Sequence, residues 1–95
     1  MIVRFRTWDC TLHFREYANG NIAILLEDVR DGQPVATATI NPNVKLSPEY
    51  VCIKDYSENT GMLDALIEAG VVEPEDEIPM GYANAHICKL LVKPE

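Results

Sequence analysis

The sequence predicts an α+β fold, in which a curved antiparallel sheet of five or six strands carries one helix, in a single domain covering residues 1–95. Apolar and polar residues alternate through the first half of the chain, which is the period of half-buried strands. Asparagine–glycine and aspartate–glycine pairs separate these segments, as they do in tight hairpins. The segment near residues 60–69 has instead the apolar spacing of a helix.

The first half of the chain predicts a four-stranded antiparallel meander. In the first strand Val3, Phe5 and Thr7 alternate with two arginines, and the third strand is the most apolar and therefore the most central. The predicted strands cover residues 3–7, 10–15, 22–26 and 35–40. The turns between them fall at residues 8–9, 19–20 and 31–32.

Two further strands are predicted in the second half. The Asn-Pro-Asn sequence at residues 41–43 ends the fourth strand, because proline has no N–H to donate to a sheet. A short fifth strand follows at residues 50–54, and residues 82–91 form a last strand that returns to the sheet. The helix then packs on one face of this antiparallel sheet.

The predicted helix runs from about residue 60 to residue 69. Asn59 or Thr60 is expected to cap its N-terminus, because both side chains accept hydrogen bonds from free N–H groups. Gly70 is expected to end the helix, because glycine adopts the left-handed conformation without strain. The apolar stripe that faces the sheet comprises Leu63, Leu66 and Ile67, flanked by Met62.

Composition and charge narrow the classes of function that this protein is expected to have. Hydrophobic residues make up 47% of the chain, as in ordinary soluble domains, and the longest apolar run, residues 22–26, is too short to span a bilayer. The first residues lack the apolar stretch of a signal peptide, so a cytoplasmic protein is expected. Fifteen acidic and eight basic residues give a net charge of −7. Direct nucleic-acid binding is therefore not expected, and a basic protein is the expected partner.

No metal, cofactor or catalytic centre is predicted. The three cysteines lack CxxC spacing, which favours reduced thiols. His86 and Cys88 share a strand face, but no second ligand pair completes a zinc site. Asp55, Glu58 and Asp64 lie near the helix start, where carboxylates usually complement the helix dipole. Because no nucleophile–base set accompanies them, the protein is not expected to be an enzyme.

Carboxylates and a tyrosine gather around the helix and predict a partner-binding surface. Asp64 and Glu68 stand one turn apart, where like charges destabilise a helix by a few tenths of a kcal/mol, so a sequence tuned only for stability would avoid the pair. The alternative interpretation is a solvated helix face followed by a charged loop. The predicted partner-binding residues are Asp55, Tyr56, Glu58, Asn59, Asp64, Glu68, Glu73, Glu75, Asp76 and Glu77.

Three segments carry a family resemblance: the Tyr-Ala-Asn-Gly turn and following strand at residues 17–24, the Thr-Ile-Asn strand end at residues 39–41, and residues 53–70. In these segments, and in the turn near Gly81, the chain resembles a family of small proteins of unknown function carried by bacterial plasmids, conjugative elements and phages. The resemblance implies an accessory protein of mobile DNA and no established active site. A group of four basic residues, Arg4, Arg6, Arg15 and Lys89, predicts a basic counter-patch.

The leading hypothesis is a non-enzymatic protein-binding module that uses its acidic surface, as an anti-CRISPR or anti-restriction factor would. A second hypothesis is a binder of small molecules or peptides on the concave sheet face near Tyr56 and Tyr82. A third is a structural homodimer that pairs through an exposed edge strand at residues 86–91. Monomer and homodimer both remain open at this point.

Overall fold

The computed structural model describes residues 1–94, and its secondary structure confirms the α+β class. A short 3₁₀ turn at Ser57–Asn59 precedes helix α1, which spans Met62–Glu68. The strands are β1 (Val3–Phe5), β2 (Trp8–Glu16), β3 (Ile22–Asp28), β4 (Pro34–Thr37), β5 (Tyr50–Ile53), β6 (Val72–Met80) and β7 (Ala83–Leu90).

The first four strands form the antiparallel sheet β1-β2-β3-β4, as the predicted meander requires. The first turn was predicted two residues too late. Phe5 pairs with Trp8, so the chain reverses at Arg6 and Thr7, and Arg6 adopts a positive φ of 56°. Trp8 and Asp9 therefore belong to β2. Arginine is an unusual residue in that conformation, so the sequence carried no signal for the turn.

The remaining strands form a second sheet with the order β5-β7-β6, which corrects the prediction of one sheet of five or six strands. The missed strand is β6, where a charged loop was predicted. Its carboxylates and its two prolines, Pro74 and Pro79, hide the usual alternation. Strand β6 lies at the edge of the sheet, where proline is tolerated because the missing N–H faces outward.

The final strand β7 lies in the middle of the second sheet, with β5 on one side and β6 on the other. The prediction of an exposed edge at residues 86–91 is therefore wrong. Its backbone groups are used by two neighbours, and a homodimer cannot pair through this strand. The error follows from missing β6, which covers the side that would otherwise be open.

The two sheets are joined where the fourth strand ends. Thr39 bridges Ile53, and the Ile40 and Lys54 N–H groups donate to Cys52 and Ala38 carbonyl oxygens at 3.0 and 2.9 Å. Ala38 is shared between the two sheets, because its N–H donates to the Ile24 carbonyl of β3 while its own carbonyl accepts from Lys54. Beyond Ala38 the backbone pairs with β5.

Helix α1 is shorter than predicted and begins differently. Its N-cap is Gly61, with a φ of 96°, and neither Asn59 nor Thr60 caps it. The carboxylate of Asp55 instead accepts the Leu63 N–H at 2.8 Å. The predicted stop at Gly70 is confirmed: its φ is 76°, and the next N–H, from Val71, returns to the Leu66 carbonyl at 2.9 Å.

The core lies between the two sheets and α1, which contacts the outer strands β1 and β6. Met62, which was predicted at the flank of the stripe, is fully buried together with Leu66. Ile67, predicted inside the stripe, is 41% exposed. Met62 and Leu66 lie four residues apart and are therefore neighbours on the helix surface. The buried face of the helix is centred on these two positions.

Candidate functional site

The polar loop before the helix holds the fold together more than it forms a surface. The Asn59 side chain is only 1% exposed, and its Nδ2 group donates to the Thr37 carbonyl at 2.7 Å. Asp55 is half-buried and bonds the helix start. Asn59 therefore lies inside the molecule rather than on the predicted partner-binding surface, and Asp55 has its carboxylate engaged by the backbone.

Glu58 and Tyr56 are organised by one lysine. Lys54 Nζ lies 2.8 Å from Glu58 Oε2 and 5.3 Å from the centre of the Tyr56 ring. The hydrogen bond from Lys54 holds the pKa of the Glu58 carboxyl below its usual value. The negative charge of Glu58 is thus balanced locally, and the loop offers little net charge to a partner.

The remaining predicted carboxylates stay exposed on two adjoining elements. Asp64 and Glu68 lie on the outer side of α1, and four more lie on the edge strand β6. No cation among residues 1–94 lies within 4.0 Å of any of these six groups. We call this set the acidic face: Asp64, Glu68, Glu73, Glu75, Asp76 and Glu77.

Neutral donors fix part of the acidic face. The Tyr50 hydroxyl donates to Glu75 at 3.0 Å, and this bond raises the pKa of Tyr50. Asn84 donates to Glu77 at 3.1 Å across the β6–β7 hairpin. Glu75 is the extra residue of a bulge between Pro74 and Asp76. Glu75 and Glu77 are thus held in place by donors that carry no charge.

The backbone of β6 offers few hydrogen bonds to the outside. The Leu91 N–H donates to the Val71 carbonyl, and the register beyond the bulge pairs Asp76 with Ile87. Because bonding alternates along an antiparallel pair, Pro74, Glu77 and Pro79 face outward. Two of these have no N–H, and the Glu77 N–H donates to the Asp76 carboxylate at 2.8 Å. From Pro74 to Pro79 the outward edge of β6 therefore has no free N–H group, and we call this stretch sealed.

The three cysteines are free and buried. Burial raises the pKa of Cys52 to about 11 and that of Cys88 to about 12, which keeps both thiols protonated and poorly nucleophilic at neutral pH. Within residues 1–94 no three histidine, cysteine, aspartate or glutamate side chains are grouped to hold a metal ion. No described helix is long and apolar enough to cross a membrane.

The two tyrosines of the alternative ligand site do not meet. Tyr82 is fully exposed in the turn of the β6–β7 hairpin, whereas Tyr56 is half-buried beneath Lys54. The predicted basic counter-patch is also dispersed. Arg4 is paired with Asp9 at 3.0 Å, and Lys89 lies on β7, in the other sheet from Arg15 on β2.

A groove that the sequence did not predict runs along β2. Two cavities of about 470 and 720 Å³ both include Phe14 and lie between β2 and the C-terminal residues 92–94. We call the two together the β2 groove. Its walls combine apolar side chains with cations that are far apart in the sequence, Arg15, Lys45 and Lys93. Only the folded chain brings them together, and the alternation in β2 was its one sequence signal.

Comparison of the chain with models of protein families, with curated proteins and with solved structures finds no match.

Proposed function

We propose that this chain is a non-enzymatic accessory protein of a mobile genetic element, which acts in the cytoplasm by binding a basic protein partner through the acidic face. One observation carries the proposal. The six carboxylates of the acidic face are exposed on two adjoining elements and have no cation within 4.0 Å among residues 1–94. A protein with clustered lysines and arginines would supply the missing charges.

The sealed backbone of β6 supports a contact made by side chains. Between Pro74 and Pro79, prolines and the Asp76 carboxylate remove the outward N–H groups that a pairing strand would need. The partner would therefore meet a row of carboxylates rather than add a strand. Such an interaction acts over a Debye length and depends strongly on salt.

The kind of partner follows from the charge and from the family resemblance. Proteins that handle nucleic acid carry dense basic surfaces, because each phosphate contact needs a lysine or arginine. Small proteins of plasmids and phages that interfere with host defence act on such complexes. A basic subunit of a CRISPR or restriction complex is therefore the proposed target.

The test begins with the purified protein as bait in a nuclease-treated bacterial lysate, washed with rising salt. The captured protein is then purified and titrated against wild type and against the triple variant Asp64→Lys, Glu68→Lys, Glu73→Lys. These three carboxylates make no side-chain hydrogen bond, so the fold should be kept. We expect the reversal to weaken binding by more than about tenfold, since three contacts each change sign.

The matched control reverses three exposed carboxylates outside the acidic face and the β2 groove, Asp9→Lys, Asp31→Lys and Glu49→Lys, and so changes the net charge equally. The proposal expects the control to keep most of the affinity. An equal loss of affinity in both variants would mean that net charge, and not the acidic face, determines binding. Unchanged binding in the triple variant, or a bait that retains nothing at low salt, would contradict the proposed function.

A further inference from the structure

Two thirds of β2 has no paired strand on one side. Strand β2 spans nine residues, but β1 pairs only with Trp8, Asp9 and Cys10. Strand β3 covers the other side along the length from Cys10 to Glu16. Residues 11–16 of β2 therefore have no paired strand on this side and form an open sheet edge. The β2 groove runs beside this edge, with Met1 next to Leu12 at one end and residues 92–94 along its far wall.

The open edge has unused hydrogen-bonding groups. At the two ends of β2, the Asp9 carbonyl accepts from Val29 and the Tyr17 N–H donates to Asn21, both on the β3 side. Bonding alternates in an antiparallel pair, so the even residues face the open side. No backbone partner among residues 1–94 engages the even residues beyond β1, which are Leu12, Phe14 and Glu16.

Arg15 provides an independent check on this orientation. Its Nη1 group donates to the Phe14 carbonyl at 2.8 Å, which places that carbonyl outside the β2–β3 ladder. A side chain thus occupies the acceptor that a neighbouring strand would use. An added strand would displace the guanidinium and leave it able to bind a carboxylate.

The floor of the groove is apolar on one face. Leu12, Phe14 and Ile22 lie on the inner face of the β2–β3 pair, and Phe14 and Ile22 remain only half-buried. Val92 packs beside them from the C-terminal segment. A strand placed along β2 would direct alternate side chains onto this surface, since side chains alternate between faces.

The charge of the groove is opposite to that of the whole protein. Arg15, Lys45 and Lys93 line it, and no carboxylate among residues 1–94 lies within 4.0 Å of their charged groups. Glu16 is the one carboxylate in its lining. Within residues 1–94 of a chain with a net charge of −7, these three cations thus line one groove without ion-pair partners.

We propose that the open edge of β2 binds an extended acidic peptide of a partner protein by strand addition. The peptide backbone would bond the free groups of Leu12, Phe14 and Glu16. Its apolar side chains would cover Phe14 and Ile22, and its carboxylates would reach Arg15, Lys45 and Lys93. Strand addition of this kind takes its affinity from the backbone bonds and its specificity from alternate side chains.

Charge separates this occupant from a second copy of the chain. Two copies paired through β2 would bring two sets of the same three cations together, and like charges across a sheet are destabilising. An acidic peptide neutralises them instead. The surface differs from the acidic face in place and in sign, so the two proposals stand or fall separately.

The test uses the capped heptapeptide TEVEVET, which alternates glutamate with threonine and valine, titrated into the ¹⁵N-labelled chain. We expect shifts at the amides of Leu12, Phe14 and Glu16 and slower hydrogen exchange there. Two matched peptides separate the contribution of the peptide's charge from that of its backbone hydrogen bonds. TKVKVKT reverses the charge, and an N-methylated TEVEVET keeps the charge but loses the peptide N–H groups that would bond β2. Both should bind at least about tenfold more weakly.

Two pairs of variants test the groove itself. Lys93→Glu should weaken TEVEVET about fivefold, while Lys89→Glu, on β7, should change affinity by less than twofold. Glu16→Pro removes an outward N–H at an exposed position and should weaken binding more than tenfold. Glu16→Gln removes the one carboxylate of the groove lining and should tighten binding slightly.

Three outcomes would overturn the proposal. The first is binding of TEVEVET without shifts at Leu12, Phe14 and Glu16, or no binding at all. The second is equal affinity for the lysine and N-methylated peptides. The third is a wild-type protein that is dimeric by solution mass with these amides protected, which would assign the edge to a second copy. None of these outcomes bears on the acidic face.

Discussion

Two strand edges of this molecule, the outer edge of β6 and the unpaired stretch of β2, are built in opposite ways. Strand β6 has Pro74 and Pro79 at outward positions and folds the Asp76 carboxylate onto the Glu77 N–H. Strand β2 leaves the backbone of residues 11–16 open, with one carbonyl held by Arg15. An acidic edge is thus closed to strand pairing and a cationic edge is open to it. Edges left open invite partners, and edges filled with proline and charge avoid them.

Hydrogen exchange should give the largest effect, and it tests directly whether the β2 edge is open. On β2, the amides of Phe14 and Glu16 should exchange roughly a hundredfold faster than those of His13 and Arg15, because only the odd residues bond β3. The measurement is amide exchange at neutral pH, residue by residue. Uniform protection along residues 11–16 would mean that the edge is covered, and the contrast with β6 would disappear.

Unsealing β6 should give the next largest effect. The double variant Pro79→Thr, Asp76→Ala restores an outward N–H and frees that of Glu77. We expect self-association through β6, seen as a solution mass at least twice that of wild type, since an open edge templates pairing. Asp31→Ala, which removes a carboxylate from an exposed turn, is the control. A monomeric double variant would show that proline and Asp76 do not guard this edge.

The salt dependence of binding affinity should also differ between the two surfaces, but by a smaller amount. Raising ionic strength from about 0.05 to about 0.5 M should weaken a basic partner at the acidic face more than tenfold, because that contact is side-chain charge screened by salt. TEVEVET at the β2 groove should weaken only about threefold, because backbone hydrogen bonds and apolar contacts remain. Titrations at several salt concentrations give both slopes. Equal dependence of affinity on salt for the two ligands would show that the two surfaces do not bind by different kinds of contact.

The smallest expected effect lies at Tyr50. Its hydrogen bond to Glu75 raises its pKa, so the neutral phenol is favoured in the folded protein. The bond's contribution is present below the ordinary tyrosine pKa, near 10, and is lost as pH rises through the higher folded value. Ultraviolet titration should show one tyrosine ionising late, and Glu75→Gln should remove that phase. A late phase that survives this substitution would assign it to another tyrosine.

Local patterns in the sequence determined much of the first sheet. Alternation located β2 and β3, and the asparagine–glycine pair placed the hairpin between them. Gly70 predicted the helix end, because only a left-handed residue lets Val71 return to the last turn. The excess of carboxylates was also visible from composition alone. Each of these features depends on neighbouring residues, and for that reason the sequence could disclose them.

Tertiary structure decided the rest. The charges and prolines of β6 resemble a loop until β7 pairs with it, and Asn59 resembles a cap until the Thr37 carbonyl comes within 2.7 Å. Arg15, Lys45 and Lys93 are separated by tens of residues and line one groove only because the segment before β5 and the C-terminal segment both lie beside β2. Contacts of this kind depend on which strands become neighbours. That choice is made by burial of the whole core, and no short window of sequence contains it.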